Sequence, residues 1–155
     1  MKYILKIAKI GVLLSMVGMI GAVLIQVYSR FFLDSAPNWT EEGARIFFVY
    51  VVAFGAGLGI QNGSFVRLEL MGSKLPEKLQ ASLELFIQIS VLIFMAVMTW
   101  QSCLFVQIGH AETSPTLDMP MSLVFFSMVL LMASMAVFTL PKIYSLYQKI
   151  KLLLP

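Results

Sequence analysis

The chain has 155 residues, 59% of them hydrophobic and only 12% charged, with a mean hydropathy of +0.89, and that combination excludes an ordinary soluble domain. Its formal charge of +3 would suggest an anionic partner in a soluble protein, but in so apolar a chain the distribution of charge carries more than its sum; no nucleic-acid partner is expected. Cys103 is the single cysteine, which excludes an intrachain disulfide and any paired-cysteine metal or redox centre.

Four stretches contain no Asp, Glu, Lys, Arg or His: Ile10 to Ser29, Ile46 to Val66, Leu85 to Gly109 and Met119 to Pro141, of 20, 21, 25 and 23 residues. Each reaches the roughly 20 residues that a helix needs to cross about 30 Å of hydrocarbon. The stretches are continuously apolar and do not alternate every second residue, which argues against a β-barrel. An all-α integral membrane protein with one membrane domain is predicted, its four transmembrane helices at about 8–32, 40–62, 78–109 and 119–141.

The first predicted helix follows Lys2, Lys6 and Lys9. A basic start and "DSA" before Pro37 resemble a secretory leader, but the apolar stretch is longer than such a leader needs, so an uncleaved span is expected. Gly18 and Ala22, four apart, would allow close approach to the second helix, where "GAGLG" places Gly55 and Gly59 at the same spacing.

Before that second helix lies "PNWTEEGAR". Asn38 or Thr40 can cap it, and Glu41 and Glu42 sit at the positive end of its dipole. Arg45 is four residues from Glu41 and three from Glu42, and residues 41 and 42 point about 100° apart, so both cannot meet it equally. Trp39, Glu41, Glu42 and Arg45 are therefore candidates for contact with a partner.

Between the second and third helices, Phe65, Leu68, Met71, Leu75 and Leu79 recur at helical spacing opposite Arg67, Lys74 and Lys78. A short amphipathic helix in the interface, at about 64–75, would bury that stripe and turn the cations to lipid phosphates. The alternative is that residues from Pro76 onward extend the third helix, with proline in its first turn. His110, at the far end of that helix, has neither a nucleophile nor a second histidine nearby and is expected to be an interfacial polar residue. The fourth helix is expected to start after "SPTLDMP", with Asp118 as cap and Pro120 in the first turn, and to end near Pro141 ahead of a basic amphipathic tail.

Nine of the eleven lysines and arginines lie before helix 1, between helices 2 and 3, or after helix 4. The opposite side holds Arg30 and Arg45 with Asp34, Glu41, Glu42, Glu112 and Asp118. The positive-inside rule then predicts that both termini are cytoplasmic. Tyr28, Phe31, Phe32 and Trp39 on one side, and Tyr3, Tyr144 and Tyr147 on the other, fit interfacial anchors.

A transporter that works alone usually keeps an ionisable group at membrane depth, and none of the four stretches contains one. Gln26, Gln61, Asn62, Gln88, Gln101 and Gln107 are expected to bond between helices. No P-loop, HExxH or GxSxG is present, so an enzyme is not expected, nor a cofactor or resident metal. What remains is a non-catalytic subunit of a larger membrane complex.

The pattern Pro37, Trp39, Glu41, Glu42, Arg45, followed by an apolar helix with glycines and then "NGSFVRLEL", resembles the small membrane subunit of tripartite ATP-independent periplasmic (TRAP) transporters, the DctQ-like family. That family shows Pro-x-Trp-x-Glu-Glu-x-x-Arg before its second helix. After that helix the family tends to Gly-x-His-Ile-x-Val-Asp, which Gly63, Phe65, Val66, Leu68 and Glu69 resemble; Phe65 stands where the histidine would be, so no role of that histidine carries over. "SPTLDMP", with Ser114, Pro115, Leu117 and Pro120, is similar to the family's Ser/Thr-Pro-x-Leu-x-Ile-Pro segment, although the aromatic residues that often follow are absent after Met121.

The resemblance spans about residues 5 to 145. It implies a multi-pass protein of the bacterial inner membrane that pairs one-to-one with a large membrane subunit and works with a periplasmic substrate-binding protein. A sodium gradient used by the large subunit would drive uptake of a small organic acid, of sialic acid or C4-dicarboxylate type. General likeness to sialic-acid-type small subunits, and no identifiable residue, leans toward sialic acid. The resemblance adds Arg67 and Glu69 to the interface candidates, beside Trp39, Glu41, Glu42, Arg45, Gly55 and Gly59, with membrane lipids as further contacts. Other readings are an assembly or regulatory subunit of another inner-membrane complex, and a stand-alone small transporter.

Overall fold

Each of the four apolar stretches forms the body of one continuous helix in the computed structural model, which describes residues 2–33, 37–61 and 76–152. The helices are α1 (Lys2–Phe32), α2 (Trp39–Gln61), α3 (Glu77–Ile108) and α4 (Ser122–Leu152), all long and apolar enough to cross a membrane. In hydrocarbon every backbone N–H and C=O must be satisfied within the segment, which a helix does. Hydroxyl groups follow the same rule by bonding back to their own helix. Thr99 donates to the Met95 carbonyl at 2.7 Å, Ser102 to Met98 at 2.7 Å and Thr139 to Met135 at 2.8 Å. Among the described residues no buried side-chain N or O lacks a partner.

Packing joins α1 to α2, α2 to α4, and α4 to α3. The helices thus stand in the order α1, α2, α4, α3, with α4 inserted between two helices that are consecutive in sequence. Only 11% to 22% of the residues in each apolar stretch are buried inside the chain, so the assembly is a thin row whose surface is made for an apolar medium. A shared centre is Ile60, Met95 and Phe138, with Leu5, Leu58, Met135 and Ala136 packed against them, so that every helix contributes to it.

The α1–α2 seam is built from small residues. Ala8, Ser15, Ala22 and Ser29, seven apart, are the buried residues of α1. Gly11 and Gly18 complete that face, and aromatic rings from α2 fill the notches they leave: a Cβ on Gly11 would meet the Phe54 ring at 2.7 Å, and one on Gly18 the Phe47 ring at 2.6 Å. Close approach and ring-in-notch packing replace the hydrophobic drive that lipid removes. For Gly55 the expected pairing with Gly18 and Ala22 is corrected in detail. The two helices do meet, but the glycine notches lie on α1 and α2 supplies the rings; the atom nearest to a Cβ on Gly55 is Val12 Cγ2 at 4.0 Å. A tight glycine of α2 is Gly57, where a Cβ would meet Phe138 of α4 at 2.5 Å.

Two other expectations give way. α4 continues through Pro141 to Leu152 and does not end at the proline. A transmembrane helix tolerates the missing N–H when the surrounding backbone adjusts, and the residues that follow keep the helix going. The interhelical bonds come from hydroxyls, not from the glutamine amides. Tyr50 donates to the Leu123 carbonyl at 2.7 Å, and Ser134 to the Ala53 carbonyl at 3.1 Å. Among the described residues Gln26, Gln88, Gln101 and Gln107 make no such bond; Gln101 and Gln107 are exposed and Gln26 and Gln88 half-buried. A short hydroxyl reaches a neighbouring carbonyl only where backbones come close, which the small residues here permit. The expected interfacial helix at 64–75, with Arg67 and Glu69, lies outside the described residues, as does Asn62.

Candidate functional site

At the end of the row where α2 begins, two short segments far apart in sequence close on each other. The first is the start of α2. The Thr40 hydroxyl donates to the Pro37 carbonyl at 2.8 Å, and the Thr40 N–H bonds the same oxygen at 3.2 Å. Thr40 is 1% exposed and holds Pro37 against the helix. Its hydroxyl is a donor here, so it is not the accepting cap that the sequence suggests.

The second segment is the loop between α3 and α4. Thr113 and Pro120 form an isolated antiparallel bridge, flanked by bonds from Ser114 N to Met119 O at 2.8 Å and from Met121 N to Glu112 O at 2.9 Å. Asp118 takes φ 51°, a left-handed conformation that Asp tolerates better than most residues. The expected Asp118 cap and first-turn Pro120 are corrected: α4 begins at Ser122. Its first N–H groups are satisfied by backbone carbonyls, Ser122 N by Gly109 O at 3.0 Å and Leu123 N by Pro120 O at 3.2 Å.

Glu42 joins the two segments. Its carboxylate accepts the hydroxyls of Ser114 and Thr116 and, at 3.2 Å, the Thr116 N–H. Ser114 is 2% exposed, and its oxygen also receives the Leu117 N–H at 3.4 Å. Donors aimed at a carboxylate favour its ionised form, so the loop presents a polar cradle to one negative charge. Glu41 takes the other direction and pairs with Arg45 at 3.5 Å, both side chains more than 70% exposed. The 100° between consecutive residues thus separates two roles: Glu42 closes the tertiary structure and Glu41 stays at the surface.

Between these groups lies an open cleft of about 280 Å³, lined by Asn38, Glu41, Glu42, Arg45, Pro115, Thr116 and Met121. Its rim carries charges of both signs. Trp39 is 43% exposed, and its ring lies 3.8 Å from where a Cβ on Gly43 of its own helix would stand. The structure therefore gathers Glu41, Glu42 and Arg45 into one cleft with Trp39 beside it, and leaves Gly55 and Gly59, half-buried on α2, away from its lining. Among the described residues no cluster of His, Cys, Asp or Glu could hold a metal ion.

Ser114 and Thr116 are the functional neighbours that sequence reasoning missed. The register of α2, decided only by the fold, explains the contact. Glu42 is eleven residues, close to three turns, before Ala53, so it shares the azimuth of Ala53, Gly57 and Ile60, the buried residues of α2 besides Thr40.

Residues 19–149 match the family described as tripartite ATP-independent periplasmic transporters, DctQ component. The chain is 33% identical over 78 residues to the sialic acid TRAP transporter small permease protein SiaQ of Vibrio cholerae, across 50% of this chain and 45% of that protein. It is 30% identical over 88 residues to the isethionate TRAP transporter permease protein DctMQ of Oleidesulfovibrio alaskensis, across 56% of this chain and 14% of that protein. A Haemophilus influenzae protein provisionally named a TRAP transporter small permease protein is 26% identical over 129 residues, across 83% of this chain and 78% of its own length. The similarity thus spans less than half of the first of these relatives, a small part of the second and most of the third.

Proposed function

The chain belongs to the DctQ-component family of tripartite ATP-independent periplasmic transporters, and we propose that it is the small subunit of a sodium-coupled, binding-protein-dependent importer of a small organic acid. Both termini are cytoplasmic in this reading, as the lysine bias requires, which makes the cleft periplasmic. Two relatives carry the names of sialic acid and isethionate transporters, a carboxylate and a sulfonate, so the substrate class is a small organic anion. The large membrane subunit carries the substrate and sodium sites. It pairs one-to-one with this chain, whose stretches without ionisable groups suit a stationary scaffold beside a moving element. In support, the matching segment occupies only 14% of the isethionate permease, as expected where both subunits are one polypeptide.

The observation that carries the proposal is the Glu42 junction. It draws the two segments with the strongest family resemblance, "PNWTEEGAR" and "SPTLDMP", into one cleft. A surface assembled from two distant motifs at one end of the row suits the docking of the binding protein, with Trp39, Glu41 and Arg45 at its rim. The test is uptake of a labelled organic acid into cells, or into vesicles under an inward sodium gradient, holding the large subunit and binding protein, with and without this chain. Uptake should require it, and full uptake by the large subunit alone would refute the scaffold. Reporter fusions at position 112 should read periplasmic.

A further inference from the structure

α1 and α3 are the two edges of the row, and their free faces differ in chemistry. On α1 the exposed residues at membrane depth, such as Leu13, Val17, Ile20 and Leu24, are aliphatic. On α3, Phe86, Ile93, Val97, Trp100, Gln101 and Leu104 recur three, four or seven apart, so they form one stripe. All are exposed, Trp100 at 68%. Met95 and Ser102 are the buried counterparts on the opposite side, and the Thr139 hydroxyl of α4 approaches Met95 Sδ at 3.9 Å.

Depth makes the stripe unusual. Leu85 to Gly109 is 25 residues, about 37 Å of helix, so its midpoint falls at Val97 and Gln101 lies about 6 Å from it. An amide at that depth finds no hydrogen-bond partner among lipid tails, and leaving it bare is costly. Tryptophan in contact with lipid favours the headgroup boundary, where its N–H is wet; Trp100 is three residues from the midpoint. The exposed hydroxyl on the same edge, Ser90, already donates to the Phe86 carbonyl at 2.9 Å, whereas Gln101 makes no bond to any described residue. Across the uncharged stretches of α1 and α4 the described exposed residues include no amide; on α2 Gln61 is exposed about 7.5 Å from the midpoint of its stretch, but it is the last residue of its helix, whereas Gln101 lies within α3.

We infer that the α3 stripe centred on Trp100 and Gln101 is the seam with the large membrane subunit, and that α1 is the lipid edge. The occupant is a transmembrane helix of that subunit bearing a hydrogen-bonding side chain opposite Gln101. The inference rests on the proposed pairing with a large subunit and adds which edge makes it.

The test places a benzophenone amino acid at position 97 or 104 of α3, or at 13 or 24 of α1, in membranes holding the whole transporter. Illumination should join the α3 positions, and not the α1 positions, to the large subunit. Gln101→Leu should lower recovery of the large subunit about threefold, the loss expected of one interhelical hydrogen bond, without moving the melting temperature of this chain alone. Crosslinking from α1, from both edges equally or from neither, or unchanged recovery with Gln101→Leu, would overturn the assignment while the pairing stands. Failure of the unaltered chain to copurify with a large subunit would instead remove the pairing itself.

Discussion

The Glu42 carboxylate receives both the hydroxyl and the backbone N–H of Thr116, a residue 74 positions away. The first turn of α2 and the loop before α4 therefore move together. Glu42→Gln keeps the shape but points an amide donor at groups that are already donors. Its expected effect is a fall in melting temperature in detergent of about 2 to 4 °C, the scale of one hydrogen bond in a chain of this size, together with reduced uptake. Glu41→Gln removes only an exposed i,i+4 pair and should change stability by less than about 0.5 kcal/mol.

Ser114→Ala should reproduce the Glu42→Gln loss, because the buried hydroxyl bonds that carboxylate. Combining the two should cost clearly less than the sum, since both remove one interaction. A double-mutant cycle of melting curves checks this; full additivity would mean that the two residues act separately.

Gly57 and Gly55 are two apart on α2 but differ in what an added methyl would meet. At Gly57 it would lie 2.5 Å from the Phe138 ring and 3.2 Å from Ser134 Cβ, so Gly57→Ala should destabilise by about 1 to 3 kcal/mol. At Gly55 the nearest atom is 4.0 Å away, and Gly55→Ala should stay within about 0.5 kcal/mol. Thermal stability of the purified chain separates them.

Gly109 ends α3 where α4 begins. A Cβ there would meet Ser122 N at 2.8 Å and the Phe125 ring at 2.6 Å. A side chain can turn aside but a backbone nitrogen that is bonded to Gly109 O cannot. Gly109→Ala should therefore lower the melting temperature more than Gly11→Ala, whose methyl would meet the Phe54 ring first.

Tyr50→Phe removes the bond from Tyr50 Oη to the Leu123 carbonyl and nothing else. The expected loss is about 0.6 kcal/mol, typical of hydrogen bonds between transmembrane helices. A loss several times larger would mean that α2 and α4 are held chiefly by this bond.

Much of the cleft was legible before the fold was known. The charge bias set Trp39, Glu41, Glu42, Arg45 and the 109–121 loop on one side of the membrane, and spacing alone allowed the Glu41–Arg45 pair. Which glutamate turned inward was not legible. Both match the family pattern, and the choice depends on which face of α2 meets α4. Likewise the glycine spacing announced a close α1–α2 contact without saying which glycines were notches, because that depends on how each helix is rotated about its axis.

By itself the sequence determined the number of helices, where along the chain each spans, and their family, since spanning is a one-dimensional contest between apolar length and bilayer thickness. Only the tertiary structure decided that α4 stands between α2 and α3, that Glu42 meets Ser114 and Thr116, and that Trp100 and Gln101 face outward at membrane depth. In helices apolar on every side the usual polar stripe that tells inside from outside is missing. Neighbours are then chosen by the fit of small residues, rings and hydroxyls across the seam, and that fit exists only in three dimensions.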